Sequence, residues 1–315
     1  MASNPAAMAP QTRTTSKPRS RFEIRDNTWR WIFLLPAVIV VVALLAIPVL
    51  WTLYAAFTDL HMFRQGVPTS FVGFRNFEKL LANKSFWRTA QNTLVFTLGV
   101  VPTQLVIGMV VALCLNNITR GRKFFRTWFL MPLMVSPVVV AFVVGRMLFA
   151  EDIGPINDVI RWLGFKGIPW FTHPVWAMVT LIAIDVWQWS SFMILMLMAG
   201  LQGIPPDLHE AARVDGATGW QSFWKITFPL MLPVSLTAVV LRIIFELKLA
   251  DIVINVTAGG PGGATDTVSS FIYREYRDRS NVGYGTMLAM FYLVVIIIFV
   301  TMLLNFASRY LQRSS

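Results

Sequence analysis

The sequence predicts an all-α membrane protein with about six transmembrane helices, and three observations carry that expectation. Of 315 residues, 56% are hydrophobic and only 14% charged, where soluble domains average about 25% charged. The mean hydropathy is +0.60. Above all, several apolar runs reach the roughly 20 residues that a helix needs to cross a hydrocarbon core.

Taken in order, residues 1–28 are polar, rich in Ser, Thr, Pro and Arg, and read as a flexible tail. The apolar run at 31–57 begins far from the start and exceeds the about 7–15 residues of a signal-peptide core, so it reads as a retained membrane helix. Further spans are expected at 93–115, 128–149, 175–201, 230–250 and 285–306. Pro36, Pro48, Pro102, Pro132 and Pro137 fall inside the first three; membrane helices tolerate proline because neighbours re-satisfy the freed carbonyls. The tail (Arg13, Lys17, Arg19, Arg21, Arg25) and the cluster Arg120, Arg122, Lys123, Arg126 are separated by two spans. The excess of basic residues on that side predicts both termini in the cytoplasm, which suits an even number of spans.

Composition also excludes. The single cysteine, Cys114, rules out an intrachain disulfide or a multi-cysteine metal site and reads as a small buried hydrophobe. The net charge of +11 sits in short loops and the tail, with no continuous basic face interleaved with aromatics, so no nucleic acid partner is expected. His61, His173 and His209 read as isolated loop residues, and no paired-His motif or Ser/His constellation suggests an intramembrane enzyme.

The most informative stretch is polar and lies between the fourth and fifth spans, at 203–233: GIPPDLHEAARVDGATGWQSFWKITFPLMLP. Local chemistry reads it as a helix–turn–helix on the membrane surface. Pro205 and Pro206 stop the preceding span, Asp207 can cap a new helix, and Glu210 lies in its first turn. Gly216 breaks that helix and Gly219 marks the turn. Trp220, Phe223, Trp224 and Ile226 then follow at helical spacing, and Pro229 and Pro233 reset the chain for the fifth span. The residues alone leave two readings open, a helix resting on the bilayer interface or a docking element.

The residues Glu210, Ala211, Ala212 and Gly216, followed by Ile226 and Pro229, resemble the EAA loop of binding-protein-dependent ABC importer permeases, with Phe228 where leucine is usual. T-A-G-G-P at 257–261, Tyr273, Gly283 and Tyr284, and F-V-G-F-R-N-F at 71–77 are similar to segments of sugar-type permeases of the maltose and glycerol-phosphate kind. The resemblance implies a type I ABC importer permease fold over 29–315, whose coupling loop at about 203–229 docks on a cytoplasmic ATPase. Glu210 would pair with a basic residue there, Ala211, Ala212 and Val214 would fill its cleft, Gly216 would permit the sharp turn, and Asp215 would belong to the same ATPase-coupling set.

It further implies a second permease subunit, two ABC ATPase subunits, an extracytoplasmic solute-binding protein and surrounding membrane lipid, in a bacterial or archaeal cytoplasmic membrane. No cofactor is expected on this chain. ATP and Mg would sit on the partner ATPases, since the sequence has no G-x-x-x-x-G-K-[ST] and no Gly-Lys dipeptide. The alternative of another class is an ion-gradient-driven secondary transporter, which commonly carries inverted repeats; no convincing repeat is visible.

Ionisable residues inside spans cost at least about 2.5–3.5 kcal/mol each at a helix centre, so Arg146, Asp185, Arg242 and Glu246 call for an account. Arg242 and Glu246 are four apart and share a helix face. Aligned on the EAA loop, they and Asp185, Trp189 and Phe192 fall where the maltose-type subunit lines its sugar path. The competing account is a structural ion pair at the interface between permease halves. Arg146 reads as a packing or gating residue, and the 154–171 stretch as an amphipathic outer helix that either docks the binding protein or lies on the bilayer.

Overall fold

The computed structural model describes residues 26–64, 68–118 and 120–314. Residues 1–25 of the expected tail lie outside them. The chain divides into two units, Met1–Trp51 and Thr52–Ser315. Most of α1 (Asp26–Ala56) belongs to the first; it is an unbroken helix despite Pro36 and Pro48, and its stretch Phe33–Ala56 is long and apolar enough to span a membrane.

The second unit is also helical, and the only β pairing among the described residues is a bridge between Thr58 and Phe71. That bridge belongs to a staple built by the 71–77 motif. Asn76 donates from Nδ2 to the carbonyls of Ala56 (2.8 Å) and Thr58 (2.9 Å), and Phe57 packs on the rings of Phe71 and Phe74. After α2 (Arg75–Ala82), Asn83 caps α3 (Lys84–Asn117) by accepting from the Ser85 and Phe86 amides.

The third expected span is broken. α4 (Arg122–Met134) and the helix starting at α5 (Pro137–Val139), which continues in π geometry through Val140–Met147, meet at 87°. Pro137 has no amide hydrogen and cannot continue the ladder. Side chains of α7 (Pro174–Gln202) donate to backbone carbonyls on this segment: Gln188 to Val135 O, at the break itself, at 3.1 Å, and Ser191 to Phe129 O within α4 at 2.6 Å. Among the described residues, six helices or helix pairs are long and apolar enough to cross a membrane when that pair counts as one span, and otherwise five. Within the 154–171 stretch the chain forms α6 (Pro155–Trp162). Asn157 anchors it, donating to Glu151 O and Ile168 O and accepting from the Ile168 amide and Trp170 Nε1.

α3 and α7 form the packed centre, and glycines set how closely they approach. A Cβ on Gly108 would come within 2.7 Å of Met193, and one on Gly99 equally close to Ile182. Below this pair, α8 (Pro206–Val214) precedes α9 (Gly219–Ser222), a π stretch at Phe223–Thr227 and α10 (Phe228–Leu247). The last three run on as one helix, Gly219–Leu247. Pro229 and Pro233 therefore do not reset the chain: Pro229 sits in the first turn of α10, and the π stretch absorbs the register change. α11 (Asp251–Val256) and α12 (Val268–Tyr273) flank the 257–267 loop, and α13 (Val282–Ser314) closes the order.

That loop is firmly tied. Thr265 Oγ1 donates to Gly260 O at 2.6 Å, Asn92 to Gly263 O and Asp266 O, and Arg274 to Ala258 O while it also pairs with Asp266. Burial pushes the Arg274 guanidinium below its ordinary pKa. Gly283 donates to Leu60 O at 2.9 Å, and a Cβ there would lie 2.1 Å from Thr58 O, so the 71–77 and 283–284 motifs meet where only glycine fits.

Two smaller expectations change. Cys114 is exposed on α3 rather than buried, because it faces away from α7. His209 is helical, on α8, and its Nδ1 lies 3.1 Å from Ser222 Oγ, joining α8 to α9.

Candidate functional site

Two polar regions concentrate the residues singled out from the sequence. The first is the turn between α8 and α9. The N-cap of α8 is Pro205, without a side-chain cap; Asp207 sits in the first turn instead, where its charge favours the helix dipole. The helix ends in a Schellman motif. Ala217 N donates to Ala212 O at 2.9 Å, Gly216 N to Arg213 O at 3.1 Å, and Gly216 adopts φ +74°. A Cβ on Gly216 would meet nothing within 4 Å, so the backbone angle alone calls for glycine. Thr218 then caps α9 through a reciprocal pair with Gln221.

This geometry sorts the six candidate coupling residues. Glu210, Ala211, Val214, Asp215 and Gly216 are exposed, Val214 at 88%. Ala212 is buried within this chain, so it supports α8 from beneath rather than filling a partner's cleft. The helical phase explains the split, since Ala212 turns toward the apolar wall while Ala211 and Val214 turn away. That wall belongs to a cavity of about 1140 Å³ bounded by α3, α8, α9 and α10.

The second region lies among α3, α7 and α10. Asp185, Arg242 and Glu246 come together, joined by Gln104 of α3, and all are at most 1% exposed. Arg242 donates from Nε to Gln104 Oε1 at 2.8 Å and from Nη2 to Asp185 Oδ1 at 2.6 Å, and it pairs directly with Glu246. Gln104 donates from Nε2 to Asp185 Oδ1 at 2.9 Å and to the Asp185 carbonyl at 3.1 Å. The guanidinium carbon stands 4.7 Å above the Trp189 ring. Trp189, Phe192 and Phe245 then form an aromatic shelf with centroids 5.8 to 6.4 Å apart, and Phe245 is 42% exposed.

Two consequences follow for charge. Two carboxylates share one guanidinium, and Asp185 Oδ2 and Glu246 Oε2 are buried without a hydrogen-bond partner. The cation, by contrast, is engaged by three groups. The cluster therefore offers hydrogen-bond acceptors and ring faces but no free cation. Arg146 stands apart: it donates to Val256 O at 3.3 Å and lies over Phe142.

Gln104 and Phe245 are the members that the sequence reading passed over. Gln104 was findable as an amide inside an apolar run, but a search for ionisable residues skips an uncharged side chain. Phe245 looks like any apolar span residue until the rotation of α10 places it beside Trp189.

A helical, multi-span subunit with an exposed polar turn at one end and a buried charge cluster within its spans is the architecture of a transport permease. The chain belongs to the family of binding-protein-dependent transport system inner membrane components, whose pattern matches residues 104–314. It is similar to the sulfoquinovosyl glycerol transport system permease protein SmoG of Agrobacterium fabrum, with 36% identity over 85% of this chain and 86% of that one. The trehalose/maltose transport system permease protein MalF of Thermococcus litoralis is 32% identical over 89% and 94% of the two chains. Among solved structures, a bacterial ABC transporter involved in the import of the acidic polysaccharide alginate superposes with a TM-score of 0.78. That match has 26% identity over 91% of this chain and 97% of that one.

Proposed function

We propose that the chain forms one half of the pore of an ATP-driven importer, paired with a second permease, moved by two ATPase subunits and supplied by an extracytoplasmic binding protein. Several relatives are named for sugar or glycoside transport, and a hydroxyl-rich solute, a sugar or related polyol, suits the charge cluster. Unshared carboxylate oxygens accept from hydroxyls, and ring faces hold sugar C–H surfaces.

One observation carries the mechanical reading. The Gly219–Leu247 helix has 29 residues and at about 1.5 Å per residue is about 44 Å long. It starts one residue after the Thr218 cap of the exposed turn and carries Arg242 and Glu246 near its other end. In this reading ATP-driven closure pulls on Glu210 and the 214–216 turn, and the rod passes that displacement to the cluster as a rigid-body change between two states. Magnesium and ATP act on the partners, and this chain supplies the lever.

The test is reconstitution of the importer in vesicles with its binding protein. Glu210→Lys should leave the subunit in the membrane and abolish coupling between ATP hydrolysis and uptake. A Glu210→Lys importer that takes up solute at the wild-type rate would overturn the reading.

A further inference from the structure

We propose that the cleft joining the ends of α3, α4 and α7 to the groove beside α10 holds one anionic phospholipid, with its phosphodiester at Lys123 and Arg126 and an acyl chain along α3. Asn116, in the last turn of α3, Lys123 and Arg126 of α4, and Gln202 at the end of α7 line a hollow of about 500 Å³. All four are exposed. Among the described residues neither cation is paired with a carboxylate. Two cations and two amides, with no acid in the lining, match the charge and acceptor oxygens of a phosphodiester.

The hollow does not end there. Asn116 and Gln202 also line the larger cavity of about 1140 Å³, whose wall along α3 is Leu105, Met109 and Leu113, faced by Leu232 and Leu236 of α10. Positions 105, 109 and 113 repeat every four residues and so form one apolar stripe down the helix. Glu210 lines that cavity too, but the smaller hollow contains no acid. A cationic pocket opening into an apolar groove is the shape of an amphiphile, and free phosphate would use only half of it. Beside the cations, Phe124 and Trp128 of α4 are exposed and stacked with centroids 6.2 Å apart, as aromatic residues are at the headgroup level of a bilayer.

The experiment is native mass spectrometry of the full chain in detergent, titrated separately with phosphatidylglycerol and with phosphatidylcholine. Phosphatidylglycerol should bind tighter, and Lys123→Gln with Arg126→Gln should weaken it about tenfold or more, to the phosphatidylcholine level. Lys123→Arg with Arg126→Lys should keep the preference, which separates lost charge from lost folding. Thermal unfolding without added lipid should be the same for all three proteins. Filling the groove with Met109→Trp should weaken both lipids alike. Equal affinity for the two lipids, an unchanged glutamine variant, or displacement of the lipid by millimolar inorganic phosphate would each overturn the proposal. So would loss of ATPase association in the glutamine variant, which would make the hollow a protein docking surface.

Discussion

The 203–229 loop and the Arg242 cluster are both polar interruptions of an apolar chain, yet they are held in opposite ways. The loop is fixed by its own backbone: a Schellman turn at Gly216, a capping box at Thr218 and a His209–Ser222 contact, with most of its candidate side chains left exposed. The cluster is fixed by three distant helices, through contacts spanning 138 positions from Gln104 to Arg242 and 57 from Asp185 to Arg242. The first kind of site can change side chains without unfolding anything, which suits a surface that another protein grips. The second cannot lose its one cation without stranding two acids, which suits an element that must keep one arrangement until the whole helix moves.

The largest expected effect comes from the cluster. Arg242→Met leaves Asp185 and Glu246 buried without a cation and should destabilise the subunit by about 3–5 kcal/mol, read as lost yield and a lowered melting temperature of the assembled importer. The triple change Asp185→Asn, Arg242→Gln and Glu246→Gln removes all formal charge and should fold close to wild type; if it is as unstable as Arg242→Met, pairing is not what the cluster contributes. Next in size, Gly216→Val places a β-branched residue at φ +74° and should cost about 1–2 kcal/mol locally. It should lower ATPase association while the spans stay assembled, as pull-down from membranes would reveal. If association is undiminished, the turn is not the gripped element.

Glu246→Gln separates the two roles of the cluster. It removes an acid with an unpartnered oxygen and leaves the Asp185–Arg242 pair, so stability should change little while the KM for solute uptake rises. Unchanged uptake kinetics would reduce the cluster to a structural pair. The smallest expected effect is Thr218→Ala, which deletes a cap worth about 1 kcal/mol and should raise hydrogen exchange at residues 219–222 without altering solute affinity.

How much of this was legible follows from the same contrast. The turn after α8 could be read because its signals are local: the proline stop at 205–206 and a helix-breaking glycine at 216. Even there the helical phase was needed to turn Ala212 inward. The spans were legible as apolar run length, except that a periodic pattern cannot tell a kinked helix from one bent by 87°. Whether Pro137 bends or breaks its span depends on whether neighbours can satisfy the carbonyls at the break, and Gln188, which meets Val135 O, lies on another helix.

The sequence by itself determined that the chain crosses a membrane several times, which segment interrupts the spans, and that Arg242 and Glu246 share a face. Those follow from burial energy per residue and from the 3.6-residue period, which act within one segment. Only the tertiary structure decided that Gln104 ties Asp185 into the cluster, that Phe245 joins Trp189 and Phe192, that Cys114 faces outward, and that the helix carrying Arg242 and Glu246 begins directly after the exposed turn. Each of those depends on how α3, α7 and α10 are rotated about their axes and how closely Gly99 and Gly108 let α3 approach α7. Packing between distant segments sets those rotations, and no local pattern encodes them.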